Sequence, residues 1–256
     1  MWESSTYQRP ALPAEKYVDS SGNEFEYGKR YWAGHQDAPR EAYSVVTHPD
    51  RFEPLWAIAD ELVAALVRDF DVDVSDDVAE AVAANGSADW FVRGVKVTPR
   101  SPDSAPITIL WLYCPIAEQA SGGQGLARQG CDVVNHFVRI NAGSIYSVPY
   151  PDCGCDACDD SVAGFADAME WAATALTTGW LTETSDGYFL KDPTGYGQGS
   201  SGLGWKPWSP SSLTRRKKPN ESITWQPWPR RQSAVPSSAS QTQSQMPHQT
   251  PPKARD

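Results

Sequence analysis

Apolar side chains recur every three or four residues between positions 50 and 70: Phe52, Leu55, Trp56, Ala59, Leu62, Val63, Leu66 and Phe70. On a helix of 3.6 residues per turn this spacing makes one stripe, and Glu53, Asp60, Glu61 and Arg68 mostly fall elsewhere on the wheel. Asp50 followed by Glu53 fits a capping box. Pro54 has no N–H to donate and is tolerated only in the first turn. These signals predict a helix from about Asp50 to Phe70. A shorter one is predicted over Asp77 to Ala84, ending at Asn85-Gly86. The period then changes. Phe91 to Val97 and Ile107 to Tyr113 read as strands, and Val133 to Ile140 with Ser144 to Val148 as a hairpin around Asn141-Ala142-Gly143. A second amphipathic helix is predicted from its stripe Val162, Phe165, Ala166, Met169, Ala172, Ala173 and Leu176, stopped by Gly179. Trp180 to Leu190 adds a strand or hairpin around Asp186-Gly187.

This order of elements predicts an α+β fold, a mainly antiparallel sheet packed by two main amphipathic helices with a disordered C-terminal tail. Residues 1–40 read as an irregular N-terminal arm, anchored by aromatics such as Tyr31, Trp32 and, just past its end, Tyr43. Residues 41–193 read as the α+β domain, with an insertion loop over Glu118 to Gly130. From 194 to 256 Gly, Ser, Pro and Gln dominate, which predicts a disordered Gly/Ser/Pro/Trp-rich basic tail. That tail repeats one pattern, Trp205-Lys206-Pro207-Trp208 and Trp225-Gln226-Pro227-Trp228, which suggests a docking segment for the body or for a protein partner.

Charge divides the chain further. Residues 205–256 hold 9 Lys/Arg against 2 Asp/Glu, whereas residues 1–204 hold 13 against 30. An acidic body repels nucleic acid and anionic membrane, so nucleic acid is left only a weak contact with the basic tail through Arg215-Arg216-Lys217-Lys218. The start, Met1-Trp2-Glu3-Ser4-Ser5-Thr6, lacks the basic and apolar regions of a secretory leader. The most apolar run, Ile107 to Cys114, is far shorter than the roughly 20 residues a membrane span needs. The expectation is a soluble cytoplasmic protein whose five cysteines are thiols or metal ligands rather than disulfides.

The most distinctive chemistry lies in Cys153-Gly154-Cys155-Asp156-Ala157-Cys158. Cys155 and Cys158 have the C-x2-C spacing that brings two thiolates to one tetrahedral zinc, and Cys153 adds a third sulfur. Cys131, His136 and Cys114 are candidates for a fourth ligand, and no spacing chooses among them. A thiol enzyme is the rival chemistry, opposed by the crowding of Asp152, Asp156, Asp159 and Asp160, which raises thiol pKa values. Small buried cysteines packing a strand-to-helix corner would need neither chemistry. Asp69, Asp71 and Asp73 with Glu80 partly match a calcium loop, but Val74 stands where that loop needs Gly. Gly195 to Gly204 reads as a linker rather than a phosphate loop, and His136 as a core histidine.

Two strings resemble a known family: Val46-Thr47-His48-Pro49-Asp50-Arg51-Phe52, and Pro149-Tyr150-Pro151-Asp152-Cys153-Gly154-Cys155-Asp156-Ala157-Cys158-Asp159. Each leads into one of the two long helices. Together they look like an uncharacterised family of small actinobacterial proteins, a domain of unknown function, over about residues 41–190. The resemblance implies domain boundaries and no activity. The functional expectation is a non-enzymatic interaction or regulatory module with a structural, zinc-competent cysteine turn at Cys153, Cys155 and Cys158. The alternative is a zinc- or thiol-dependent enzyme using that turn.

Overall fold

A computed structural model describes residues 6–14, 16–19, 21–30, 37–43, 45–86, 88–115, 134–184, 187–201 and 222–232. The centre is a five-stranded antiparallel sheet of order β3-β4-β5-β6-β7. Its strands are β3 (Val72–Ser75), β4 (Phe91–Pro99), β5 (Ile107–Pro115), β6 (Val134–Ala142) and β7 (Tyr146–Tyr150). Two 16-residue helices, α1 (Pro54–Asp69) and α3 (Val162–Thr177), cover one face. The expected α+β class is therefore the observed one. The short helix α2 (Ala79–Ala84) packs Val78 and Ala81 on Leu110, Leu112 and Phe137 of the opposite face, so helices are not confined to one side.

Period-2 alternation sets the two faces. Ile107, Ile109 and Trp111 of β5, with Val138, Ile140 and Ala142 of β6, point toward α1 and α3. Leu55, Ile58, Leu62 and Leu66 of α1 are fully buried against them. Each such side chain contributes about 1.5–3 kcal/mol of apolar burial. The helix start differs from the expected capping box. Pro49–Phe52 forms a separate 3-10 turn and α1 begins at Pro54, with no side-chain cap hydrogen bond. Pro54 thus occupies the first helical position, where its missing N–H costs nothing. At α3 the cap is Ser161, whose hydroxyl accepts the Gly164 N–H, rather than the aspartates before it.

Two further sheets add to the expected pattern, one of them built on the antiparallel hairpin expected over Trp180 to Leu190. A two-residue pair, β1 (Tyr17–Val18) with β2 (Glu24–Phe25), gives the N-terminal arm regular structure. Among the expected anchors of that arm, Tyr43 is exposed, and Tyr31 and Trp32 lie outside the described residues. The other sheet, of order β10-β9-β8-β11, has four strands: β8 (Leu181–Glu183), β9 (Gly187–Lys191), β10 (Gly197–Ser201) and β11 (Ile223–Thr224). The fold therefore does not end near residue 193, and Gly197 to Ser201 is a strand rather than a linker. Gly197 and Gly199 suit that strand because β9 runs close beside them; a Cβ on Gly197 would lie 2.2 Å from the Leu190 carbonyl oxygen.

Residues 222–232 form a strap across the same core. Trp225 and Trp228 are buried, with Trp225 Nε1 donating to Glu183 Oε2 at 3.0 Å and Trp228 Nε1 to the Ala105 carbonyl at 2.8 Å. Glu183 is fully buried; its Oε1 accepts the Ser144 and Ile145 amides at 2.8 and 2.6 Å. The second Trp-Pro repeat therefore docks on its own body. The first, Trp205 to Trp208, the basic cluster Arg215 to Lys218 and the Glu118 to Gly130 loop lie outside the described residues.

Candidate metal centre

β7 ends at Tyr150, α3 begins at Val162, and the cysteine turn joins them. Asp156–Cys158 makes one 3-10 turn, closed by Asp159 in the left-handed region at φ 52°. This curl brings the three thiols together. Cys153 Sγ lies 3.4 Å from Cys155 Sγ, and Cys155 Sγ lies 3.5 Å from Cys158 Sγ. All three sulfurs fall within 4.8 Å of one another. Cys155 is buried and the other two are exposed, and none is in a disulfide. The Cys158 thiol is pushed well above its usual range, first by burial and then by hydrogen bonding to Cys153 and Cys155. The expected cause, crowding aspartates, does not carry that shift. As a free thiol Cys158 holds its proton; a bound cation reverses that preference by favouring thiolate.

The turn is clamped from the other motif. Arg51, buried at the 3-10 entry to α1, donates from Nη2 to the Gly154 carbonyl at 2.7 Å and from Nη1 to the His48 carbonyl at 3.1 Å. Its Nη1 lies 3.7 Å from Asp156 Oδ1, and both side chains are almost wholly enclosed, at 1% and 7% exposed. Asp156 Oδ1 also accepts the Tyr27 hydroxyl at 2.8 Å and the Thr47 amide at 3.3 Å, and Oδ2 accepts the Thr47 hydroxyl. Burial raises the Tyr27 phenol, which keeps it a donor. His48 Nδ1 meets the same hydroxyl at 3.1 Å, and burial lowers the His48 pKa. The Arg51 guanidinium stacks 3.9 Å from the Tyr27 ring and 4.2 Å from Phe52. Desolvation lowers the Arg51 pKa, an effect partly offset by Tyr27 and Asp156.

Two strings about 100 residues apart in sequence thus meet at Arg51 and Asp156. The chain belongs to a family of unknown function, DUF6226. The DUF6226 match spans residues 13–232, so it takes in the β1–β2 pair and ends where the described strap ends. No curated protein and no solved structure matches the chain.

The expected fourth ligands divide. His136 is not part of the sulfur cluster and stacks against Trp56 and Tyr113, at ring centroid distances of 5.1 and 4.8 Å. Cys131 and the side chain of Cys114 lie outside what is described. Among the described residues only Cys153, Cys155 and Cys158 form such a cluster. The aspartates of the calcium-like run go to separate partners: Asp69 takes Thr6 and Arg230, while Asp71 and Asp73 share Arg100. A cleft of about 420 Å³ lies beside the turn, lined by Phe25, Arg30, Glu41, Thr47, His48 and Asp156 among others. Sequence reasoning found the cysteines but missed Arg51, Asp156 and Tyr27. An arginine directly before Phe52 in an apolar entry was the available sign.

Proposed function

We propose that this chain is a zinc-binding, non-catalytic interaction or regulatory module, with Cys153, Cys155 and Cys158 as three thiolate ligands of one ion. The observation that carries this reading is the sulfur spacing. Around a tetrahedral zinc with Zn–S bonds of about 2.3 Å, two sulfurs stand about 3.8 Å apart. The separations of 3.4 and 3.5 Å need only a small adjustment to reach that value. The clamp supports a structural role. Arg51 and Asp156 fix the backbone of the turn whether or not the sulfurs are occupied, so the ion would bind a preformed corner and lock the sheet to α3. No helix among the described residues is long and apolar enough to cross a membrane, which accords with action away from the bilayer.

The test is metal analysis of the purified full chain, paired with thermal unfolding in chelator. About one zinc per chain, with a lower melting temperature once zinc is removed, is the expected result, and Cys155→Ser and Cys158→Ser should each abolish loading. Substoichiometric zinc and no chelator effect would remove this reading. A catalytic use of the turn keeps one point in its favour. Cys153 and Cys158 are exposed, and Asp156 between the cysteines also lines the cleft. Alkylation separates the two readings: rapid modification of zinc-loaded protein near neutral pH favours chemistry, and protection by zinc favours structure.

A further inference from the structure

Two arginines withdrawn from water, Arg51 wholly and Arg139 in part, have opposite surroundings. Arg51 has Asp156; Arg139, on the opposite face of the sheet beside α2, has no carboxylate partner among the described residues, and desolvation alone lowers its pKa. Arg139 Nη1 donates to Asn85 Oδ1 and Ser147 Oγ, each at 3.3 Å. The Ser147 hydroxyl donates to Asn85 Oδ1 at 2.9 Å, and Asn85 Nδ2 donates to Asn141 Oδ1 at 3.3 Å. The acceptors of this cluster are therefore taken. What is left over is donors. Arg139 Nε and the amide nitrogen of Asn141 are both shut off from solvent and without a partner, and Asn141 is fully buried.

A charge withdrawn from water without a counter-charge is costly, and buried donors without acceptors add to that cost. The missing partner must accept hydrogen bonds and carry negative charge. Cross-strand register adds a second cation to the same face, since Lys96 pairs with Thr108, and Thr108 with Asn141. We propose that Arg139 and Asn141, framed by Asn85 and Ser147, form a binding site for a small oxyanion, a carboxylate or phosphate group held at the Arg139 Nε edge. The site is independent of the cysteine turn and stands whether or not zinc binds.

The experiment is titration of the full chain with inorganic phosphate and, separately, acetate, at constant ionic strength. The readouts are melting temperature and the Arg139 Nε–H resonance. A saturable rise in stability with movement of that resonance is expected, and whichever anion acts at lower concentration identifies the chemistry. Arg139→Gln should weaken the response roughly tenfold or more, as for loss of a charge-assisted hydrogen bond. Without added anion, Arg139→Gln should be no less stable than the parent, because it removes an uncompensated charge. The resonance needs no variant, so the idea remains testable if Arg139→Gln folds poorly. An unmoved resonance and flat titrations with both anions would overturn it, leaving ordered water as the partner. So would an equal response in Arg139→Gln.

Discussion

At Gly154 the turn has no room for a side chain. A Cβ there would sit 2.7 Å from Asn135 Nδ2 and 3.1 Å from the Phe52 ring, both fully buried. Gly154→Ala should therefore destabilise the chain by about 1–3 kcal/mol, as overpacking does, measurable by denaturant unfolding. Arg51 is the more sensitive position. Arg51→Ala leaves Asp156 buried without its cation and should cost about 3 kcal/mol or more; a loss under about 0.5 kcal/mol, the scale of ordinary surface changes, would show that the clamp is not structural. The histidines set a pH window. Burial lowers both His48 and His136 from the usual 6.5, so below that pH the unfolded chain takes up protons that the folded chain refuses. Stability should fall as pH drops from about 6.5 toward the depressed folded values. In metal-free protein the slope should flatten in a His48→Gln, His136→Gln double variant; an undiminished slope would place the titration elsewhere.

Among the elements, the strap was the least legible in sequence. The stripes of α1 and α3 and the alternation in β4 and β5 announce themselves because each repeats the same environment over several turns or pairs. Residues 222–232 do not. Their burial rests on two tryptophans separated by Gln226 and Pro227, and their backbone bonds go to distant groups, such as Gln226 N to the Asp103 carbonyl and Trp228 N to the Thr177 carbonyl. No local period records such contacts, and Gly/Ser/Pro composition around them reads as tail. Trp228→Ala should cost about 3–5 kcal/mol, the range for truncating a buried large aromatic. Deletion from residue 222 should likewise unfold or strongly destabilise the body relative to deletion after residue 232. Equal stability of the two truncations would show that the strap contributes nothing to the fold.

For the whole molecule, the α+β class and antiparallel sheet were readable because period changes mark helix and strand directly. The separation into a five-stranded and a four-stranded sheet was not, since it depends on which edges meet. The candidate centre divides in the same way. The cysteines were visible as a spacing, but the clamp of Arg51, Asp156 and Tyr27 joins positions 27, 51 and 156, which only the folded chain brings together. That clamp gives the cysteine corner its fixed backbone, and the three sulfurs gathered on it are the central claim. X-ray absorption at the zinc edge of the purified full chain tests it most directly. Stoichiometric zinc with at least three sulfur neighbours at about 2.3 Å is expected. Zinc bound only by nitrogen and oxygen, or no stoichiometric zinc at all, would contradict it.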